Sequence, residues 1–173
     1  MKNREKMDIL DFKGEKMAIR NVVQSGDPIL RKQTKPVNNF DENLWELLDD
    51  MYQTMKANHG AGIAGPQVGI LRQVCIVDIN NIKLELVNPE IIERSEDTWV
   101  DVEGCLSVKG IQGYVERPKK VTVKAFDRYG NEYTVSAKDW LARAIFHETD
   151  HLKGILFTDI MKEVYVRDKK KGR

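Results

Sequence analysis

The spacing of apolar positions changes period along the chain, and each change marks an element. Leu44, Leu47, Leu48, Met51 and Met55 recur at intervals of three and four, which predicts a helix over residues 41–58 with one face turned inward. Asn39 or Asp41 can cap its start, and Gly60 is the expected stop. From Gln73 onward the pattern is that of strands. Residues 74–77 are a short apolar run, residues 83–87 alternate, and Ile91-Ile92 and residues 98–102 continue the β character. Residues 121–126 alternate as a half-buried strand should. Residues 128–131 read as a turn and residues 133–135 answer the preceding strand, so a hairpin is expected. Helical spacing returns over residues 137–153, where Trp140, Leu141, Ala144, Ile145, Glu148, His151 and Leu152 share a face that ends at Gly154. Leu156 and Phe157 return to the core, and Thr158 or Asp159 caps a short last helix. Ahead of all this, Ile19, Val22 and Val23 suggest an extended segment closed by a Gly26-Asp27-Pro28 turn.

Length and composition narrow the class. A chain of 173 residues, 41% apolar and 32% charged, suits one globular domain with a proper core. A formal net charge of +1 gives no overall pull toward nucleic acid or membrane, so neither specific DNA binding nor a membrane role is expected. Residues 1–16 are charged and aperiodic, contain no signal-peptide core, and are expected to be a poorly ordered extension. Residues 17–165 form the expected single catalytic domain, and residues 166–173, with Lys169, Lys170 and Lys171, a basic tail. Met17 offers an alternative start. With no secretory signal, Cys75 and Cys105 are expected to be reduced cytoplasmic thiols, Cys75 as an inert core residue of an apolar strand.

The chemistry concentrates in His147-Glu148-Thr149-Asp150-His151. On a helix, histidines four apart share one face and can chelate one ion, and Glu148 can reach a water activated by that ion as general base. Such centres take a third protein ligand and leave one position open. The two common peptidase completions are missing, because Phe157 stands where one class has its histidine and Glu163 comes too soon for the glutamate of another. His59 and Cys105 remain, and a thiolate would favour Fe, Zn or Co over Mg or Ca. The Gly-rich stretch 60–67, read as a loop, lacks the Gly-Lys-Ser/Thr ending of a phosphate loop and the βαβ context of a dinucleotide fingerprint.

Three ordered motifs, GAGIAGPQ at residues 60–67, EGCLS at 103–107 and HETDH at 147–151, together with Gly26-Asp27-Pro28 and residues 151–154, resemble the peptide deformylases over roughly residues 17–160. The resemblance implies an α+β fold in which a central metal-binding helix packs against antiparallel β-sheets. It implies a metal-dependent hydrolase that removes the N-formyl group from the N-terminal methionine of newly made polypeptides and releases formate. Cys105, His147 and His151 would hold one divalent ion, Fe(II) in typical members with Zn, Ni or Co as replacements. Glu148 would move the proton, while Gln67 and the Leu106 N–H would stabilise the oxyanion. The backbone at Ala61 and Gly62 would hold the N-formylmethionyl peptide as an added strand, and Ala144 would leave space for the methionine side chain. Members act on chains emerging from ribosomes, so cytoplasmic localisation and a ribosome contact near the exit tunnel, assisted by the lysine tail, are expected.

The chain departs from the family pattern at three positions. Gly65 replaces the usual alanine and should loosen the loop, Lys109 stands where many relatives have proline, and Gln112 aligns with an arginine of some members. The rival readings are an HExxH metallopeptidase and an inactive relative with a structural metal site, the latter expected to recruit a fourth ligand such as His59.

Overall fold

The computed structural model describes residues 8–10 and 16–166. The described residues form strands β1 (Asp8–Leu10), β2 (Lys16–Ala18), β3 (Gly62–Ala64), β4 (Val74–Ile79), β5 (Ile82–Arg94), β6 (Thr98–Cys105), β7 (Val108–Pro118), β8 (Lys120–Phe126), β9 (Glu132–Lys138) and β10 (Glu163–Val164). The helices are α1 (Glu42–Ala57), α2 (Asp139–His151) and the single-turn α3 (Phe157–Ile160). Every ladder is antiparallel. One sheet runs β3-β4-β5-β8-β9 and another β10-β7-β6, and α2 packs against strands of both. The fold is α+β, with the helix that carries both site histidines at its centre.

Strand alternation divides the core around β4. Val74 and Ile76 face α1 and meet Leu44, Leu47, Leu48, Met51 and Met55. Cys75 and Val77 point the other way, onto Ala142, Ile145 and Phe146 of α2. Both faces of β4 are therefore dry, which is why residues 74–77 read as a continuous apolar run. Burying each of the large α1 side chains contributes about 2 kcal/mol. Cys75 is fully buried, and burial pushes its thiol pKa well up, as suits an inert core thiol. A third cluster of Leu30, Val108, Val115, Leu156 and Phe157 lies under the three-stranded sheet.

Several boundaries differ from the sequence expectation. Gly60 does not stop α1; His59 takes the left-handed conformation (φ 56°), and the Gly60 N–H returns to the Met55 carbonyl at 2.9 Å. Residues 60–67 are not a plain loop. Gly62–Ala64 pairs with β4, and Gly65–Val68 forms a buried 3-10 turn. Ala137 and Lys138 belong to β9, paired with Val121 and Lys120, so α2 begins at Asp139. The α2 helix ends at His151, with Lys153 in the following turn. Residues 83–87 and 91–92 fuse into one β5 strand interrupted by register shifts, at the first of which Asn88 (φ 49°) bonds both backbone groups of Val37 at 2.8 Å. Leu156 occupies the cap of α3, and Asp159 accepts its N–H from inside the turn at 2.9 Å.

Within the stretch expected to be a poorly ordered extension, Asp8–Leu10 pairs with Lys16–Ala18 as a two-stranded ribbon. Residues 1–7, 11–15 and the basic tail 167–173 lie outside the described residues.

Candidate active site

Two elements bring the expected ligands together. His147 and His151 lie one turn apart on α2, with ring centroids 5.0 Å apart. Cys105 ends β6, where a register shift against β7 turns the strand. One ligand atom from each of Cys105, His147 and His151 lies within 4.8 Å of the others. Cys105 Sγ is 3.4 Å from His151 Nε2.

The surroundings suit a cation at this point. His147 Nδ1 meets Glu103 Oε2 at 2.9 Å, which leaves Nε2 for a metal. Burial opposes charge on His147, but its bonds to Cys105 and Glu103 outweigh burial and push its pKa up to about 10. Burial drives His151 the other way, well below its ordinary value, with the charge of His147 adding to the effect. The opposed shifts disfavour charge on both rings at once, and one sulfur and two imidazole donors match the set that a borderline divalent ion takes.

Glu103 anchors a buried ion cluster behind His147. Arg117 grips it through two bonds of 2.9 and 3.0 Å, Arg143 donates to it at 2.8 Å, and Arg117 continues to Asp150 at 2.6 Å. Burial alone would raise the Glu103 pKa, but the bonds from His147 and Arg117 hold it at about 2. Sequence reasoning gave no role to Arg117 or Arg143. The available signal was an arginine four residues before His147 on the inward side of α2, where it is 2% exposed.

A cleft of about 350 Å³ opens in front of these groups. Ala61, Gly62, Gln67, Cys105, Leu106, Ala144, His147 and Glu148 all line it, and His151 lies behind, 1% exposed. Glu148 is also buried, and burial lifts its carboxyl pKa to about 7. Gln67 is oriented by the Ala64 N–H, which donates to its Oε1 at 2.8 Å. Its amide nitrogen then points to Ser107 Oγ at 3.2 Å and Cys105 Sγ at 3.4 Å. Leu106 occupies the tight turn after Cys105. Gly62 sits on β3, the edge of its sheet. Ala61 uses its carbonyl to receive the Asp78 N–H, so antiparallel alternation turns the Gly62 N–H and C=O away from β4 and toward the open side.

Trp140, read as part of the inward face, is 47% exposed. It lines the cleft and stacks edge-on against Trp99. His59 lies at the cleft rim but outside the ligand group. Lys109 and Gln112 stand on the β6–β7 hairpin, with Gln112 beside Gly104. Among the described residues no helix is long and apolar enough to cross a membrane.

A helical histidine pair completed by a thiolate, with a carboxylate and a carboxamide in the same cleft, defines a metal-dependent hydrolase. More narrowly, the chain belongs to the polypeptide deformylase family, whose sequence profile matches residues 19–166. It is similar to the peptide deformylase of Caldicellulosiruptor bescii, 54% identical over 143 residues that cover 83% of this chain and 86% of that protein. The peptide deformylase of Acetivibrio thermocellus is 50% identical over 83% of this chain and 84% of its own length. Among solved structures, peptide deformylase from Thermotoga maritima superposes with a TM-score of 0.82 at 39% identity, covering 83% of this chain and 98% of that one. The Synechococcus elongatus enzyme in complex with actinonin gives a TM-score of 0.81, also at 39% identity, over 83% of this chain and 79% of that one.

Proposed function

We propose that Cys105, His147 and His151 hold one divalent metal ion, Fe(II) with Zn, Ni or Co as replacements, and that the cleft around them deformylates N-formylmethionyl peptides. The enzyme is a peptide deformylase: it hydrolyses the formyl amide on the N-terminal methionine of newly made polypeptides and releases formate. The observation that carries the residue assignment is the convergence of those three ligand atoms within 4.8 Å beside the buried Glu148.

The ion, when bound, supplies Lewis acidity that polarises the formyl carbonyl and lets water ionise near neutral pH. The remaining work falls to the chain. Glu148, its pKa raised to about 7 by burial, takes the proton of the attacking water and passes it to the departing amine. Gln67, held by Ala64, and the Leu106 N–H donate to the formyl oxygen as it gains charge. The outward-facing backbone of Gly62, next to Ala61, pairs with the substrate as an added strand. Ala144, small and on the cleft wall, leaves room for the methionine side chain. The peptidase and inactive-relative readings are less well supported: among the described residues the ligand group has three members, His59 is outside it, and Glu148 and Gln67 are both in the cleft.

Formate release from a formyl-Met tripeptide by Fe(II)- or Ni(II)-loaded protein tests the assignment, with Glu148→Ala and Cys105→Ala alongside. Turnover lost in both variants, with metal retained in Glu148→Ala alone, is the expected result. Near-normal turnover in Glu148→Ala would remove its proton-transfer role, and casein cleavage without formate release would favour the peptidase. The cytoplasm as the location and a ribosome contact through residues 169–171 complete the proposal. Co-sedimentation with ribosomes that persists after deletion of those lysines would exclude the tail.

A further inference from the structure

The two oxyanion donors assigned above come from different sheets. Gln67 follows β3 of the five-stranded sheet, and Leu106 joins β6 to β7 of the three-stranded sheet. These sheets share no ladder, so their relative position must be fixed by other contacts. Residues 22–25 cross between them. The Val23 N–H donates to the Gln67 carbonyl at 2.8 Å, and the Ser25 N–H donates to the Ser107 carbonyl at 2.7 Å. Between these two anchors the Gln24 amide nitrogen reaches the Leu106 carbonyl and the Val22 carbonyl, both at 3.1 Å. Val23 packs its side chain into the cluster of Leu30, Val108, Val115, Leu156 and Phe157, which seats the segment on the three-stranded sheet.

We infer that Gln24 is a positioning residue for deformylation: its amide holds the Leu106 carbonyl to the strap 22–25, and the strap, together with the Gln67 bond to Ser107 Oγ, sets the distance between the Leu106 N–H and the Gln67 amide. The inference rests on the deformylase reading of those two donors. An oxyanion needs donors aimed at one point, and a pivoting turn blunts that aim only when charge develops. Gln24 itself lies outside the cleft lining and touches no reacting atom. The two backbone bonds of the strap survive any side-chain change, so the Gln24 amide is the separable part.

Gln24→Met keeps the length and removes the donor; Gln24→Glu keeps the shape and puts an acceptor against two carbonyls. The experiment uses the full metal-loaded chain and reads kcat, KM, metal content, melting temperature and deuterium exchange at the Ser25 amide, which is bonded to the Ser107 carbonyl. Loss of one positioned donor costs about 100-fold or more in kcat, and partial misaim should cost about tenfold. The expected result in both variants is that drop in kcat, KM and metal content within about twofold of wild type, and faster exchange at Ser25. A fall confined to melting temperature, or unchanged exchange and kcat, overturns the inference. Should wild-type protein release no formate, the deformylase reading fails while the exchange measurement still decides whether Gln24 holds the turn.

Discussion

Gly62 and Glu148 fit against each other with no space for a side chain: a Cβ on Gly62 would lie 2.7 Å from Glu148 Cδ. The glycine at this edge-strand position thus serves the carboxylate behind it as well as any peptide in front. Gly62→Ala should push Glu148 off its position while leaving Cys105, His147 and His151 in place. Misplacement by about 1 Å typically costs about 100-fold in rate. We expect kcat to fall by roughly that factor with metal stoichiometry unchanged. Formate-release kinetics paired with metal analysis checks this, and full activity in Gly62→Ala would show that Glu148 can relocate freely.

Glu103 links the proposed metal ligand His147 to the stability of the fold. It is 5% exposed and is shared by Arg117, Arg143 and His147. Removing one partner of a buried ion cluster leaves the others uncompensated, at a cost of about 3–5 kcal/mol. Removing the group that orients a ligating histidine weakens metal binding about 10–100-fold. Glu103→Ala should therefore lose both thermal stability and metal affinity. Glu103→Gln, which keeps a hydrogen-bond acceptor, should lose less of each. Calorimetry and competitive chelator titration measure the two losses separately.

Acid should weaken a second ion cluster, which joins α1 to β5. Arg128 bridges Asp49 of α1, at 2.7 Å, and Glu85 of β5, at 2.6 Å. Burial would raise the Glu85 pKa, but the bonds and charge of Arg128, helped by Lys83, bring it below its ordinary value. A carboxylate with a depressed folded-state pKa stabilises the fold above its unfolded pKa and loses that contribution as pH falls through the folded value. Glu85→Gln should accordingly be less stable than wild type near neutrality, and its stability should fall less steeply below about pH 4.5. Urea melts across that range test this, and parallel curves would assign the acid sensitivity elsewhere.

What the sequence disclosed and what it concealed differ by how local the information is. The pairing of His147 with His151, the α1 face and the hairpin of β8 with β9 depend on residues a few positions apart, and spacing alone revealed them. Glu103 meets Arg117 across 14 residues and Arg143 across 40, so no window of periodicity contains the cluster. The α2 start was misplaced because Ala137 satisfies both patterns, as an inward β9 residue and as a good helix former ahead of Trp140. The edge position of β3 follows from which strands pair, which local alternation does not encode.

Gly65 shows the same lesson at one atom. Read along the chain, glycine in place of the family's alanine should loosen a loop. In the fold, Gly65 begins the buried 3-10 turn that carries Gln67, and a Cβ there would lie 2.7 Å from the Ile70 carbonyl oxygen and 2.9 Å from that of Arg72. Both neighbours are backbone, and the Ile70 N–H is itself bonded to the Gly65 carbonyl at 2.9 Å, so neither can yield without moving the turn. Gly65→Ala should therefore destabilise this chain by about 1–3 kcal/mol, the usual cost of overpacking a close-packed site. Because the displaced turn carries Gln67, kcat should fall as well, while metal content stays at the wild-type level. A melting temperature raised by Gly65→Ala would mean that the segment 70–72 shifts readily and that glycine here loosens the turn after all.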